Sequence, residues 1–503
     1  MSGVLVTRQR YPEPLTSRPA RVPGAVGDSG PAQAGTVAQV GVHTWTSDAA
    51  SPSVRGTEYG RTFASALANA VRQYLALFAS YGMTGAQARY HAETSASAVA
   101  AHAPELVEEV GTLARAAGLE EWQVWALNAR TEILAAARSA ASECSTAVHL
   151  PPDGGAPRTF QTWDWVPGVG DDLVAARYPT AAGIGVVTVA EAGQVAKFGV
   201  STHGVGVHLN ILNHATDGGG GGVPVHVLAR MLLERAETLE EAIAIARSVS
   251  VTASTVLTVV TAEPAAACLE ISPAGVGVVR ARSGTTLVHA NHFLDPELAA
   301  GEAVPTDSTT WARMDCLTAH ADLIALSPPV ERARALGSLP RAPISVRPTP
   351  ALPAYRRSET KLTLALDVAG TAVEYHPGAP ADVTVEGWRR AGIWAPTATP
   401  RRHRPGHEDG SRTARPAAAR ISPTSSVVTD SATSRSGQEH TTRSGPAVGS
   451  GASQKVTSAQ VSVAWDRRGE RVCAWSPSCR SPAVRTVPSA RWSASRRAPG
   501  TGW

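Results

Sequence analysis

The spacing of apolar positions changes near residue 144. From Phe63 to Phe78 apolar side chains recur at steps of three and four (Phe63, Leu67, Val71, Tyr74, Leu75, Phe78), one face of an amphipathic helix that Gly82 and Gly85 close. A second helix is predicted from Pro104 to Ala117. Pro104 suits its first turn, Glu105, Glu108 and Glu109 favour the positive end of the dipole, and Gly118 stops it. A third starts near Glu120 and carries Trp122, Trp125, Leu127 and Ile133. Ahead of them Val40, Val42 and Trp45 alternate as a short strand.

After Cys144 the period shortens to two. Strand-like runs cover 146–150, 158–162, 184–190, 194–199, 204–210, 254–261, 268–272, 276–280 and 286–290, and Pro152-Asp-Gly-Gly155 is a hairpin-type turn. Helical stretches fall at 223–235, 239–248 and 311–325, and a last strand pair fits 361–367 and 371–376. Many strands with close connections and few helices predict antiparallel sheets covered by helices, an α+β arrangement without a βαβ repeat.

Both ends lack an apolar period. Residues 1–38 are rich in Pro, Gly, Arg and Ser and are expected to be a disordered extension. From Arg389 to Trp503, Arg, Ser, Pro, Thr and Ala dominate. Such a polar segment cannot offset its ordering entropy, so 389–503 is expected to be a basic, disordered, low-complexity tail. It holds 19 Lys+Arg against 6 Asp+Glu; within an overall +4, that puts +13 on the tail and −9 on the rest. The folded domain is therefore expected at 39–388, split into a helical part (39–143) and a strand-rich part (144–388). The tail lacks regular aromatic interleaving, which argues against nucleic acid as its partner. No run reaches the ~18 apolar residues of a membrane span, and the N-terminus has no signal-peptide core. Five scattered cysteines form no disulfide framework, so a reducing, cytoplasmic setting is expected. Neither CxxC nor HExxH occurs, the clustered His203, His208 and His214 match no metal motif, and no metal is expected. Gly218–Gly222 lacks the Gly-Lys-Ser/Thr of a phosphate loop.

Of the cysteines, Cys268 and Cys316 sit among apolar neighbours and read as core. Cys144 stands at the switch from helix to strand, between Ser142-Glu143 and Ser145-Thr146, where packing gives little reason for a thiol. A nucleophilic thiol needs a base. No papain-type histidine lies nearby in sequence. A free α-amino group, with a pKa of about 7.7–8.0, can serve if Cys144 begins a chain. That would require cleavage between Glu143 and Cys144. An uncut cysteine enzyme using a histidine, and an uncut, non-catalytic binding module that uses its basic tail, remain as alternatives.

Several short motifs carry a resemblance. Asn128-Ala-Arg-Thr-Glu132, Cys144-Ser-Thr-Ala147, Gln161-Thr-Trp-Asp164, Lys197-Phe-Gly199, His203-Gly-Val-Gly-Val-His-Leu-Asn210, Gly222-Val-Pro224 and His289-Ala-Asn-His292 follow one another in an order that resembles the acyl-CoA:6-aminopenicillanic acid acyltransferase family. Ser358-Glu-Thr360 and Leu366-Asp367 extend the likeness towards Gly387. The resemblance implies a self-processing N-terminal nucleophile hydrolase with a four-layer αββα sandwich. It implies cleavage of Glu143–Cys144 by the Cys144 thiol through an N-to-S acyl shift, after which Cys144 is nucleophile and, by its amine, base. Asp164 would hold that amine, and Asn291 with the backbone or side chain of Asn210 would donate to the oxyanion. Arg313 would be structural or substrate-facing. Gln161 stands where bile-salt relatives carry Arg, which makes it a candidate substrate contact and disfavours a bile acid. The implied reaction is hydrolysis or transfer of the acyl group of a small amide through a cysteine thioester, without a bound cofactor, acyl-CoA being a possible co-substrate. The implied partners are a small-molecule amide or acyl donor and the chain's own cleaved N-terminal fragment. Glu143 departs from the small glycine that the penicillin enzyme has before its scissile bond.

Overall fold

The computed structural model describes residues 40–138 and 143–393, together with the dipeptides 464–465 and 471–472. The first stretch opens with β1 (Gly41–Thr46), where the alternation placed it, and continues with α1 (Pro52–Thr62), α2 (Ala64–Ser80), α3 (Gly85–Ala100), α4 (Pro104–Ala116), α5 (Glu121–Asn128) and α6 (Arg130–Ala136). Helices α2 and α4 follow the apolar spacing. Two helices were not anticipated. The buried face of α3 is Ala88, Ala92, Ser95 and Val99, helical spacing built from side chains too small to register as an apolar stripe. α1 has the right N-terminal signals, a Ser51 cap and Pro52 at its first position, but carries Gly56 and Gly60. Those glycines face α4: a Cβ on Gly56 would lie 2.3 Å from the Glu109 carbonyl oxygen, and one on Gly60 2.3 Å from that of Leu113. Helix propensity is given up there for close approach of two backbones.

The strand-rich part supplies β2 (Cys144–His149), β3 (Arg158–Trp165), β4 (Asp172–Pro179), β5 (Gly185–Glu191), β6 (Phe198–Ser201), β7 (Val205–Ile211), α7 (Val225–Arg235), α8 (Leu239–Ser248), β8 (Thr255–Thr261), β9 (Ala265–Ser272), β10 (Gly275–Arg280), β11 (Thr286–His289), α9 (Pro296–Ala299), α10 (Thr310–Ala319), α11 (Ala321–Ile324), α12 (Pro329–Gly337), β12 (Glu359–Asp367), β13 (Ala372–Pro377) and β14 (Arg389–Gly392). They form two sheets. The first has the order β1-β4-β5-β6-β7-β8-β9-β10, antiparallel except that β1 pairs parallel with β4; the second is the antiparallel β11-β2-β3-β12-β13-β14.

The sheets pack face to face, β2, β12 and β13 of the second lying over β5, β6 and β7 of the first. Helices α7 and α8 cover the outer face of the first sheet, and α10, α11 and α12 that of the second. The result is the expected four-layer αββα sandwich. Strands β7 and β8 are buried on both faces, every residue of Val205–Ile211 and Thr255–Thr261 being buried, His208 and Asn210 included.

One boundary is corrected. The domain expected to end at 388 continues through β14, which pairs with β13. Its Arg389-Arg390 resembles solvated tail, yet Arg390 bonds Glu374 and Asp367 while Ala391 is buried. Residues 1–38 and nearly all of the expected tail lie outside the described residues. Beyond that domain, the described dipeptides Ala464–Trp465 and Arg471–Val472 pair antiparallel. Among the described residues no helix is long and apolar enough to cross a membrane.

Gly56→Ala or Gly60→Ala should push α1 off α4, lowering stability by about 1–3 kcal/mol, measured as a fall in the urea midpoint at constant slope.

Candidate active site

Cys144 is the first residue of β2 and is 1% exposed. It pairs with Trp163 of β3, so the peptide bond before it lies alongside Asp164. Both polar atoms of that bond are held. The Glu143 carbonyl oxygen accepts from the Asp164 backbone N–H at 3.2 Å. The Cys144 N–H donates to Asn291 Oδ1 at 2.8 Å. Asn291 in turn donates from Nδ2 to the Ile211 carbonyl at 2.8 Å, which fixes the sense of its amide. Burial pushes the Cys144 thiol up to about 11; the Asp164 charge adds to this, while the Asp164 backbone N–H, Lys197 and Arg313 act the other way. Among the described residues no histidine is hydrogen-bonded to the thiol, which removes geometric support for an uncut Cys–His enzyme.

Along β3 side chains alternate, so Asp164 faces away from the inter-sheet layer that Gln161, Trp163 and Trp165 share. It meets Arg313 of α10, whose Nη2 lies 2.5 Å from Asp164 Oδ2, with both side chains at most 1% exposed. Arg313 also donates to Ser145 Oγ (3.1 Å) and Thr309 Oγ1 (2.8 Å), and its Nε lies 3.2 Å from Glu143 Oε2. Burial works against the charge on this guanidinium, but Asp164 and Glu143 outweigh it and its pKa is raised. The Glu143 carboxylate is further gripped by Ser308 Oγ (2.5 Å), by the Thr309 N–H (2.7 Å) and by Thr309 Oγ1. Residues on both sides of one peptide bond are thus tied to the start of α10.

The predicted site residues divide. Cys144, Glu143, Asp164, Asn291 and Arg313 come together. Their assignments shift in detail: the Asp164 carboxylate is engaged by Arg313 and its backbone N–H holds the carbonyl, whereas Asn291 holds the nitrogen as an acceptor. The side chains of Asn210 and Gln161 are engaged elsewhere. Asn210 Nδ2 donates to the carbonyls of His289 (3.2 Å) and Ala290 (3.0 Å), and its Oδ1 accepts from Thr146 (2.6 Å) and Gln161 (2.9 Å). Gln161 Nε2 also reaches the Leu209 carbonyl (2.6 Å), and its Oε1 meets His208 Nδ1 at 2.6 Å. Both side chains are fully buried and occupied in joining the two sheets.

A buried polar cluster backs the site. Lys197 Nζ pairs with Glu191 and lies 3.5 Å from the centroid of the Trp163 ring, while the Arg130 guanidinium sits 3.8 Å over Trp165 and 3.2 Å from Glu191. Burial, helped by Arg130, draws the Lys197 ammonium down to about 7 against the pull of Glu191. Asn128 bonds the Gly193 carbonyl and the Val195 N–H, and Glu132 accepts from the Val225 N–H at the start of α7. The 128–132 motif is therefore a fastening of the helical part to the strand-rich part. Ser308 and Thr309 were missed as site residues; Asp307-Ser308 preceding Arg313 was the available signal, but nothing in the sequence linked it to Glu143.

A cavity of about 380 Å³ opens beside the Glu143–Cys144 bond, lined among others by Glu143, Asn213, Asn291, Arg313, Tyr355 and Arg357. Among the described residues no group of three His, Cys, Asp or Glu side chains could hold a metal ion.

Facing antiparallel sheets between helical layers, with a cysteine opening an interior strand, define the N-terminal nucleophile hydrolase class of fold. Residues 153–323 match the model of the acyl-coenzyme A:6-aminopenicillanic acid acyl-transferase family, a stretch that begins after Cys144. A relative, the acyl-coenzyme A:6-aminopenicillanic-acid-acyltransferase 40 kDa form of Emericella nidulans, is 27% identical over 210 residues; these are 42% of this chain and 58% of that relative, so the match spans little more than half of the relative's length. Solved structures with some likeness include penicillin V acylase from Agrobacterium tumefaciens (15% identity, TM-score 0.29, 47% of this chain and 76% of that one) and a mutant of the conjugated bile acid hydrolase from Clostridium perfringens (9%, 0.34, 50% and 92%).

Gln161→Ala should leave the His208, Leu209 and Asn210 groups short of partners at about 1–3 kcal/mol each, lowering the melting temperature. A changed KM at unaltered melting temperature would instead return Gln161 to the cavity wall.

Proposed function

We propose that the chain is an autoproteolytic amidohydrolase or acyltransferase that cleaves or transfers the acyl group of small amides through a thioester on Cys144. The observation that carries this is the grip on the Glu143–Cys144 peptide bond: its carbonyl faces the Asp164 N–H, its nitrogen is held by Asn291, and a thiol stands on the next carbon.

The chemistry follows from those positions. The Cys144 sulfur adds to the Glu143 carbonyl carbon, and the developing oxyanion is met by the Asp164 N–H already directed at that oxygen. The attacking sulfur has first given its proton to water as the thiolate forms; the C–N bond then breaks as the departing nitrogen takes a proton from water, and Glu143 is left as a thioester. Water then adds to the thioester, releasing Glu143 as a carboxylate and restoring the thiol. The new α-amine stays where Asn291 Oδ1 held the amide nitrogen and can take the thiol proton in later turnovers. An amide substrate repeats the sequence with its own acyl carbon. Water as acceptor gives hydrolysis; an amine gives acyl transfer, with acyl-CoA as an optional donor co-substrate. Arg313 orients Asp164 and, through Ser145 and Thr309, the strand and helix on either side.

Non-covalent ties support the cleaved N-terminal fragment as a lasting partner. β1 is hydrogen-bonded into the first sheet, and Asn128, Arg130, Glu132 and Glu109 make buried polar contacts with the strand-rich part.

Purified protein should run on denaturing gels as pieces of 143 and 360 residues, the second beginning Cys-Ser-Thr-Ala, whereas Cys144→Ala should run as one band. A wild-type chain that stays whole would favour the non-catalytic binding module. Cleavage of newly folded chain should quicken as pH rises from 7 towards 10, about tenfold per unit, because the attacking thiolate is a minor species below a pKa of about 11. A rate flat across that range would sink the thiolate step. Asn291→Ala should slow the cut while the folded state persists, measured by band conversion over time.

A further inference from the structure

Glu143 is more than a residue awaiting cleavage. Its side chain is seated as a ligand would be, with Ser308 Oγ, the Thr309 N–H, Thr309 Oγ1 and Arg313 Nε all on one carboxylate. This seat opens onto the 380 Å³ cavity, which Arg347, Arg356 and Arg357 also line. Asp307 answers Arg356 at 2.8 Å, and Arg347 pairs with Asp382 at the surface, but Arg357 donates to the carbonyls of Leu352 and Pro350. The Glu143 carboxylate therefore lies in a cavity lined by four arginines, of which Arg313, Arg347 and Arg356 are paired with acids and Arg357 is held by backbone carbonyls. Cleavage at 143–144 gives this residue a free end and lets it leave, and the seat stays behind with Arg313 still buried.

The Glu143 acyl carbon and a substrate's acyl carbon must meet the same sulfur. The acyl group of a substrate therefore takes the path that the Glu143 side chain takes from that carbon to the seat. We propose, resting on the amidase reading above, that the processed protein is selective for amides whose acyl group ends in a carboxylate at the reach of a glutaryl chain, the tip being held by Ser308, Thr309 and Arg313. The seat places no demand on the amine half. In turnover the Cys144 sulfur bonds to the glutaryl carbonyl carbon, the amide C–N bond breaks, and the thiol proton leaves with the amine. Water then adds hydroxyl to the carbonyl carbon and returns a proton to sulfur, releasing glutarate.

The test uses wild-type protein whose cut has been verified by its two bands. It is assayed on the mono-p-nitroanilides of glutarate and succinate and on valeryl p-nitroanilide, which has the glutaryl length without the charge. Charge-assisted hydrogen bonds to the tip should raise kcat/KM for glutaryl more than about tenfold over valeryl, with succinyl between them. Ser308→Ala combined with Thr309→Val should bring that ratio towards one. Because this variant alters the seat of Glu143 itself and with it the cut, a second measurement is made on wild type: glutarate, and not valerate, should slow alkylation of Cys144 by iodoacetamide. A glutaryl to valeryl ratio near one with no protection by glutarate overturns the inference and leaves the amidase reading standing. A chain that stays whole, or a cut chain inert to every anilide, overturns the amidase reading and, since the seat is then never put to use, the inference with it.

Discussion

One buried guanidinium holds the site together. Arg313 is 1% exposed, and an arginine so placed is tolerated only if opposite charge and hydrogen-bond acceptors replace its water. Asp164, Glu143, Ser145 and Thr309 do so, one from β3, one from just before β2, one from β2 itself and one from the N-terminus of α10. The requirement to satisfy that one group fixes the second sheet relative to its covering helix. It also sets the Asp164 backbone N–H beside the Glu143 carbonyl. Positioning of the Glu143–Cys144 bond is thus a by-product of solvating a charge without water.

The inter-sheet layer follows the same logic at lower charge. Between two faces of Val, Leu and Ile lies a polar clasp of Gln161, Asn210, Thr146 and His208, each paired across the gap. Face-to-face sheets packed by aliphatic side chains alone could slide; a clasp whose members are costly to leave unpaired admits one register. It lies one strand step from Cys144. Burial holds His208 down to about 3, so the clasp keeps one protonation state over the neutral range.

Much of this was legible in the chain. The switch of period at Cys144 located the boundary between helical and strand-rich parts, and short motifs pointed to Cys144, Asp164, Asn291 and Arg313 before any geometry. What stayed hidden has physical causes. α3 packs through alanines and a serine, which leave little amphipathic trace. β4 was not recognised because Asp172, Arg177 and Pro179 interrupt its apolar run. That the Asn210 and Gln161 side chains join the two sheets could not be read from the chain, because a polar side chain within an apolar strand reads the same whether it meets a ligand or another strand. The grip of Ser308 and Thr309 on Glu143 joins residues 165 and 166 positions apart, and no local pattern encodes it.

β1 has a meaning beyond topology. A segment that lies ahead of Cys144 forms the edge of the eight-stranded sheet, and the helices after it plant Asn128, Arg130 and Glu132 in the interior of the strand-rich part. Such a segment is unlike a removable leader. Covalent continuity at one bond is not what keeps it in place, so scission there changes the number of polypeptides without changing the architecture. Residues 40–138 are therefore answerable to the same packing demands as the rest of the interior, and substitutions in them should be felt at the cysteine some distance away.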